Sequence, residues 1–229
     1  QAETAGKEIG GVLSELGINV DFAPIADIHT NPENTVIGDR AYGTDAQTVA
    51  DMASAFAKGL ESEGVSATAK HFPGHGDTGT DSHDGMAVSE HDLQRLEEVE
   101  FVPFQRLVDE GIDLVMVGHI TMPNVTDDGL PASLSKEAID LLREELDYDG
   151  IVITDAMNMG AIVDYYPDGE AAVKAVEAGV DIVLMPADLD DAYNSLCEAV
   201  QTGEISENRL DESVERILSL KYDKGMLVP

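Results

Sequence analysis

The densest group of reactive side chains lies between residues 70 and 85. This segment reads KHFPGHGDTGTDSHDG and contains one lysine, three of the chain's six histidines and three aspartates. It overlaps the end of an apolar run, Ser66 to His71, which predicts a buried strand. Its four glycines make a loop adaptable, and Pro73 disfavours a continuing inner strand. Active sites of parallel sheets and barrels lie at the carboxyl ends of the strands, so this segment is predicted to be a functional loop.

The residue types of this loop leave two chemistries open beside a plain polar surface loop. Acid–base catalysis would use a histidine that titrates near neutral pH. A divalent metal would take imidazole and carboxylate ligands, although the spacing matches neither a helical HExxH motif nor a calcium-binding loop. The candidate ligands are His71, His75, Asp77, Asp81, His83 and Asp84.

Two further segments carry candidate site residues. Asp155 directly follows the apolar run Ile151 to Thr154, where a carboxylate would face the open end of a barrel. The alternative is that Asp155 caps the next helix. Arg40, in NPENTVIGDRAYG, offers a fork-shaped donor to a ligand oxygen, and its alternative is a structural salt bridge.

Alternating strands and helices must position these residues. Five apolar runs predict buried strands, and helical patterns separate them, which indicates a parallel sheet covered by helices in a single domain, residues 1–229. Thr44 and Gln47 predict a capping box for the second helix. The first helix shows an apolar stripe, and the last is predicted from Ser206 to Lys224. The predicted strands are Ile18 to Ala23, Ser66 to His71, Leu114 to Gly118, Ile151 to Thr154 and Ile182 to Met185, and the stripe of the first helix is Ile9, Val12, Leu13 and Leu16.

Charge excludes several classes of function. The 229 residues include 13 Lys plus Arg against 46 Asp plus Glu, a formal charge of -33. Phosphate backbones and anionic membranes attract cationic surfaces, so neither nucleic acid nor a membrane is expected as a partner. Carboxylates spread along the whole chain would repel one another in dilute salt, whereas molar salt screens them. We therefore predict a halophilic protein, with an ordinary acidic mesophilic protein as the alternative.

Several ordered motifs resemble one enzyme family. KHFPGHGDT followed by DSH resembles the hallmark of glycoside hydrolase family 3, specifically its β-N-acetylglucosaminidase branch. FAPIADI, NPENTVIGDRAYG, VMVGHITMP and ITDAMNMGAI resemble the family's other segments in the same order, and the similarity extends through the final helix. The resemblance implies a TIM-type (β/α)₈ barrel, here apparently lacking roughly its first three strands, so the domain is expected to be N-terminally incomplete.

The resemblance also implies a role for each site residue. Asp155 corresponds to the nucleophile of a retaining hydrolase, which forms a covalent glycosyl intermediate. His83 corresponds to the acid/base, and Asp81 to the carboxylate that orients it. Arg40, Lys70 and His71 correspond to residues that bind sugar hydroxyls. No metal or other cofactor is implied. Asp27 is interpreted as structural, and His75, Asp77 and His119 as shaping the loop or supporting the site.

The implied activity is exo-acting hydrolysis of terminal β-linked N-acetylhexosamine, with a small carbohydrate as the partner. Three alternatives remain: a phosphorylase of the same family, a β-glucosidase of the same family, and a non-catalytic sugar-binding barrel. The chain shows no secretory signal, so a cytoplasmic location is expected, with secretion as the alternative.

Overall fold

The computed structural model describes residues 1–79 and 86–227. Four strands lie side by side in a parallel sheet in the order β1, β2, β4 and β6, and two short strands, β3 and β5, form a separate parallel pair. The predicted parallel sheet is thereby confirmed. The strands are β1 (Val20–Asp21), β2 (Ser66–Phe72), β3 (Ala87–Val88), β4 (Leu114–Val117), β5 (Ile120–Thr121) and β6 (Ile151–Thr154).

Helices connect the strands and cover the sheet. Their bounds are α1 (Ala2–Glu15), α2 (Ala46–Glu61), α3 (Leu93–Arg95), α4 (Phe101–Asp109), α5 (Lys136–Asp140), α6 (Gly160–Val163), α7 (Asp168–Ala178), α8 (Leu189–Thr202) and α9 (Glu207–Asp223). Single π-helical segments, Leu96–Glu100 and Leu141–Glu145, precede α4 and follow α5. No helix in residues 1–79 or 86–227 is long and apolar enough to cross a membrane.

The two faces of the sheet are buried by different partners. Val115, Val117 and Val152 point into the large core beneath the helices. The alternating residues of β4 and β6 form a second cluster on the opposite face, where Ile217 and Leu220 of α9 pack against it. Both strands are therefore apolar throughout, as the sequence predicts for strands buried on both faces.

A buried aspartate fastens α9 to the sheet. The Asp181 side chain is fully buried, and it accepts hydrogen bonds from Arg143, from Ser213 and from the backbone amide of Val152. Arg209 and Arg216 also lie within 3.6 Å and 3.3 Å of its carboxylate oxygens. Removal of this carboxylate would leave several partly buried cations without their partner, so its role is structural.

Three predictions about elements are wrong in detail. Asp45, not Thr44, caps α2, and its carboxylate accepts from the amide of Thr48. The fifth predicted strand is reduced to one bridge between Ile182 and Ile153, because no further strand pairs with it within the described residues. The predicted apolar stripe of α1 is largely exposed, as the following contact explains.

Helix α1 packs on α2 through small residues. Its buried positions are Ala2, Gly6 and Gly10, whereas Val12 is 58% exposed and Leu16 is 70% exposed. A Cβ at Gly6 would lie 2.2 Å from the carbonyl oxygen of Phe56. The two backbones thus approach more closely than any larger residue would permit, and this contact decides which face of α1 is buried.

Candidate active site

One cavity at the carboxyl ends of the strands collects residues from separate parts of the chain. It has a volume of about 280 Å³. Arg40 ends a short 3-10 helix after β1, Lys70 and His71 lie near the end of β2, and Asp155 directly follows β6. Its remaining lining is His75 and Ala156 together with the apolar residues Phe22, Val36, Met116, Met159, Leu184 and Met185. We call this space the strand-end cavity.

The structure brings together four of the six predicted site residues. Arg40, Lys70, His71 and Asp155 all line the strand-end cavity. The other two, Asp81 and His83, lie outside the described residues, so the acid/base assignment stays a prediction.

A local irregularity lets two neighbouring residues of β2 share this cavity. Successive side chains of a regular strand point to opposite faces. The register between β2 and β4 shifts between Ala69 and Phe72, and the Lys70–His71 peptide is cis. Both Lys70 and His71 consequently face the strand-end cavity.

Asp155 presents one occupied and one open carboxylate oxygen. Its Oδ1 accepts a hydrogen bond of 2.8 Å from the backbone amide of Ala156. Its Oδ2 lies 4.0 Å from Nε2 of His71, too far for a hydrogen bond. The helix-cap alternative for Asp155 is not supported, since the next helix, α6, begins with Met159 at its N-cap.

His119 supports the backbone beside Asp155. It is fully buried, its Nε2 donates to the carbonyl oxygen of Ala156 at 3.0 Å, and its Nδ1 accepts from the hydroxyl of Ser133 at 2.7 Å. The carbonyl can only accept, which fixes the ring proton on Nε2. Burial lowers the pKa of His119, and the nearby His71 and His75 lower it further, so the ring stays neutral.

Two cations of the cavity lack carboxylate partners in the described part of the chain. Neither Arg40 nor Lys70 has a carboxylate oxygen within 4 Å there, whereas Arg143, Arg209 and Lys224 do. Burial lowers the pKa of Lys70, Arg40 lowers it further, and Asp155 and Asp21 partly offset both effects. These cations are available to a ligand's oxygen atoms.

The root of the 70–85 loop is held by polar contacts to the segment after β1. Asn34 donates to the carbonyl oxygens of His75 at 2.7 Å and Thr78 at 3.0 Å. Asp77 accepts from the hydroxyl of Thr30 at 2.9 Å and contacts His91 at 2.6 Å. The loop-shaping interpretation of His75 and Asp77 fits these contacts.

The metal alternative finds no support in the described residues. No group of three or more His, Cys, Asp or Glu side chains there could hold an ion. His71 is bonded to Asp27, His75 to Thr78, and Asp77 to His91 and Thr30. Protein partners thus occupy three of the six candidate ligands; Asp81, His83 and Asp84 lie outside the described residues.

A larger cavity of about 540 Å³ opens at the other end of the sheet, near the start of β6. Its polar lining is mostly acidic, including Asp113, Asp149, Glu212 and Glu215. The amino ends of parallel strands rarely carry catalysis, and this cavity contains none of the predicted site residues. We therefore assign the site to the smaller strand-end cavity.

Sequence reasoning missed two residues that support the site. Asp27 is fully buried and bonded to His71, although it was interpreted as only structural, and His91 was not singled out at all. Asp27 could have been found, because it follows an apolar run as Asp155 does. No local signal marks His91.

Comparison with known proteins identifies the family. Residues 1–220 match the Glycosyl hydrolase family 3 N terminal domain, and the chain belongs to this family. It is 40% identical to Beta-hexosaminidase LpqI of Mycobacterium tuberculosis over 96% of this chain and 58% of that protein. The fold is TIM-like α/β.

Solved structures agree with this assignment. A family 3 beta-N-acetylglucosaminidase from Paenibacillus sp. str. FPU-7 superposes with a TM-score of 0.96 and 46% identity, covering 98% of this chain and 43% of that one. Beta-glucoside phosphorylase BglX gives a TM-score of 0.94 and 31% identity, covering 98% of this chain and 42% of that one. The chain therefore spans about half the length of these relatives.

Proposed function

We propose that this chain is the catalytic domain of a retaining β-N-acetylglucosaminidase that removes terminal β-linked N-acetylhexosamine. The observation that carries the proposal is the strand-end cavity, where Asp155 faces His71 beside Arg40 and Lys70. A space of about 280 Å³ suits one saccharide ring more than an extended glycan. The relatives named above as hexosaminidase and N-acetylglucosaminidase support the same sugar class.

The geometry suits a double displacement. In the first step, Oδ2 of Asp155 attacks the anomeric carbon, the glycosidic C–O bond breaks, and an acid donates a proton to the leaving oxygen. In the second step, the same group takes a proton from water, the water oxygen attacks the anomeric carbon, and Asp155 is released. We assign the acid/base role to His83, oriented by Asp81.

The surroundings of Asp155 favour its role as nucleophile. Oδ1 is held by the amide of Ala156, while Oδ2 has no hydrogen-bond donor in reach among the described residues. The carboxylate is thus oriented through one oxygen and reactive through the other. Lys70 and Arg40, on the same cavity wall, can hold sugar hydroxyls and so fix the ring over Oδ2.

The decisive experiment replaces the nucleophile in the full-length protein. Asp155→Asn is expected to lower kcat on an aryl β-N-acetylglucosaminide by about 10³-fold or more, because the amide cannot form the glycosyl ester. Asp164→Asn, on an exposed residue outside the cavity, is the matched control and should retain full activity. Full activity of a pure Asp155→Asn preparation would refute the assignment.

A phosphorylase is the second candidate, because two cations without carboxylate partners line the cavity and BglX has the same fold. Phosphate would then replace water in the second step. The same assay with and without phosphate distinguishes the two: N-acetylglucosamine 1-phosphate indicates phosphorolysis, and free sugar in both indicates hydrolysis. Faster turnover of an aryl β-glucoside would indicate a β-glucosidase, and sugar binding in calorimetry without turnover a non-catalytic barrel.

A further inference from the structure

The buried carboxylate of Asp27 is bonded on every side to two histidine residues. Asp27 lies in the segment after β1 and has no exposed side-chain surface. Its Oδ2 lies 2.7 Å from Nδ1 of His71, and both its oxygens accept from the backbone amide of His71 at 3.2 Å. Its Oδ1 accepts from the amide of His75 at 2.6 Å. One carboxylate thus holds the end of β2 and the beginning of the following loop.

This carboxylate remains ionised. Burial alone would raise the pKa of Asp27, but the charge and hydrogen bond of His71 and the amide of His75 outweigh burial and lower it. An ionised carboxylate only accepts hydrogen bonds, so Nδ1 of His71 must carry a proton. Whenever the His71 ring is neutral, its Nε2 therefore presents a lone pair.

That lone pair faces the reacting centre. Nε2 of His71 lies 4.0 Å from Oδ2 of Asp155, and both residues line the strand-end cavity. In the opposite tautomer, an Nε2–H would point at the open oxygen of Asp155 and compete for its lone pair. With the proton on Nδ1, Nε2 instead accepts a hydrogen bond from a donor that enters between the two side chains.

We propose that Asp27 is a positioning residue that keeps the proton of neutral His71 on Nδ1, so that Nε2 accepts a hydrogen bond from a substrate hydroxyl beside Asp155. The proposal rests on the proposed function only in that the hydroxyl belongs to a sugar. It assigns Asp27 a part in substrate binding and turnover, and it explains why a carboxylate without an Arg or Lys partner among the described residues is buried at this point.

The first test reads the tautomer directly. In full-length protein labelled with ¹⁵N-histidine, at a pH where His71 is neutral, Nδ1 should show the shift of a protonated ring nitrogen and Nε2 that of an unprotonated one. His71→Gln assigns the signals. A neutral His71 with its proton on Nε2 would overturn the proposal, and this result needs neither a variant of Asp27 nor any activity.

The second test reverses the bond. In Asp27→Asn, the side-chain amide donates to Nδ1, so the proton should move to Nε2. We expect the two ¹⁵N signals of His71 to exchange character and kcat/KM to fall by about 10²- to 10⁴-fold, the range for a reversed histidine tautomer. Asp77→Asn is the matched spectroscopic control, because it changes the other Asp–His pair and should alter the His91 signals only.

The third test links the tautomer to the ligand. Addition of N-acetylglucosamine to the wild-type protein should shift the Nε2 signal of His71 as the sugar hydroxyl donates to it. Binding seen by calorimetry without any change at Nε2 would overturn the proposal. A shifted Nε2 signal together with an active Asp155→Asn variant would instead refute the proposed function while supporting the role of Asp27.

Discussion

Buried ionisable side chains serve different purposes at the two ends of the sheet. At the carboxyl end, Asp27 and His119 each have hydrogen-bonding partners that fix one proton position. Near the other end, Glu61 has a buried Oε1 with no hydrogen-bond partner in the described residues. The first two stabilise a reacting geometry, whereas Glu61 is a cost to stability that the fold tolerates.

Glu61 makes stability depend on pH. Burial raises its pKa from 4.5 to about 7, and the neighbouring Asp113 contributes. Between these values the folded protein holds more protons than the unfolded chain, so stability falls as pH rises. Glu61→Gln should therefore raise Tm at pH 8 by about 2–4 °C, which corresponds to about 1 kcal/mol after discounting for residual exposure, and have little effect at pH 4.

Calorimetric melts at both pH values check this prediction. Glu8→Gln, on the exposed side of α1, removes the same formal charge without relieving burial and serves as the control. An equal rise in both variants would assign the effect to net charge instead of to Glu61.

At the scale of elements, the sequence predicts which segments form but not always which face they bury. The strands at β2, β4 and β6 and the site residues at their carboxyl ends follow from apolar runs that end in polar residues, because that pattern reflects the sheet itself. The orientation of α1 does not follow, since an apolar stripe shows that a face favours burial but not what lies opposite. Gly6 and Gly59 decide it through a backbone contact that leaves no periodic signal.

The α1–α2 contact predicts opposite effects for two glycines of one helix. Gly6→Ala should lower the free energy of unfolding by about 1–3 kcal/mol, because its Cβ would lie 2.2 Å from backbone. Gly11→Ala has no atom closer than 3.8 Å and should raise it by up to about 1 kcal/mol through helix propensity. Urea titrations of both variants measure the difference. Equal values would show that α1 does not pack closely on α2.

At the scale of the whole molecule, carboxylates outnumber cations so strongly that pairing cannot neutralise them. Lys136, Lys174 and Arg106 already contact acidic residues one helical turn away, yet the formal charge remains -33. Such exposed pairs contribute little stability individually. The remaining repulsion is a property of the entire surface, and it is the basis for predicting a halophilic protein.

Salt should therefore stabilise this protein. The screening length falls from about 10 Å at 0.1 M to about 3 Å at 1 M salt, so repulsion between neighbouring carboxylates weakens. We expect Tm in molar potassium chloride to exceed Tm at about 0.1 M, with a similar gain in sodium chloride if screening is the cause. Greater stability in dilute salt would refute the halophilic interpretation.

The strand-end cavity draws its charged groups from residue 40 to residue 155, and only Lys70 and His71 are neighbours in sequence. No short fragment can assemble it, so a bound sugar recognises the finished sheet and not any single hairpin or turn. Ligand occupancy consequently shifts the equilibrium of the entire sheet toward the native state. Protection from proteolysis by a saturating monosaccharide would then extend across every strand, far beyond the atoms that the sugar touches.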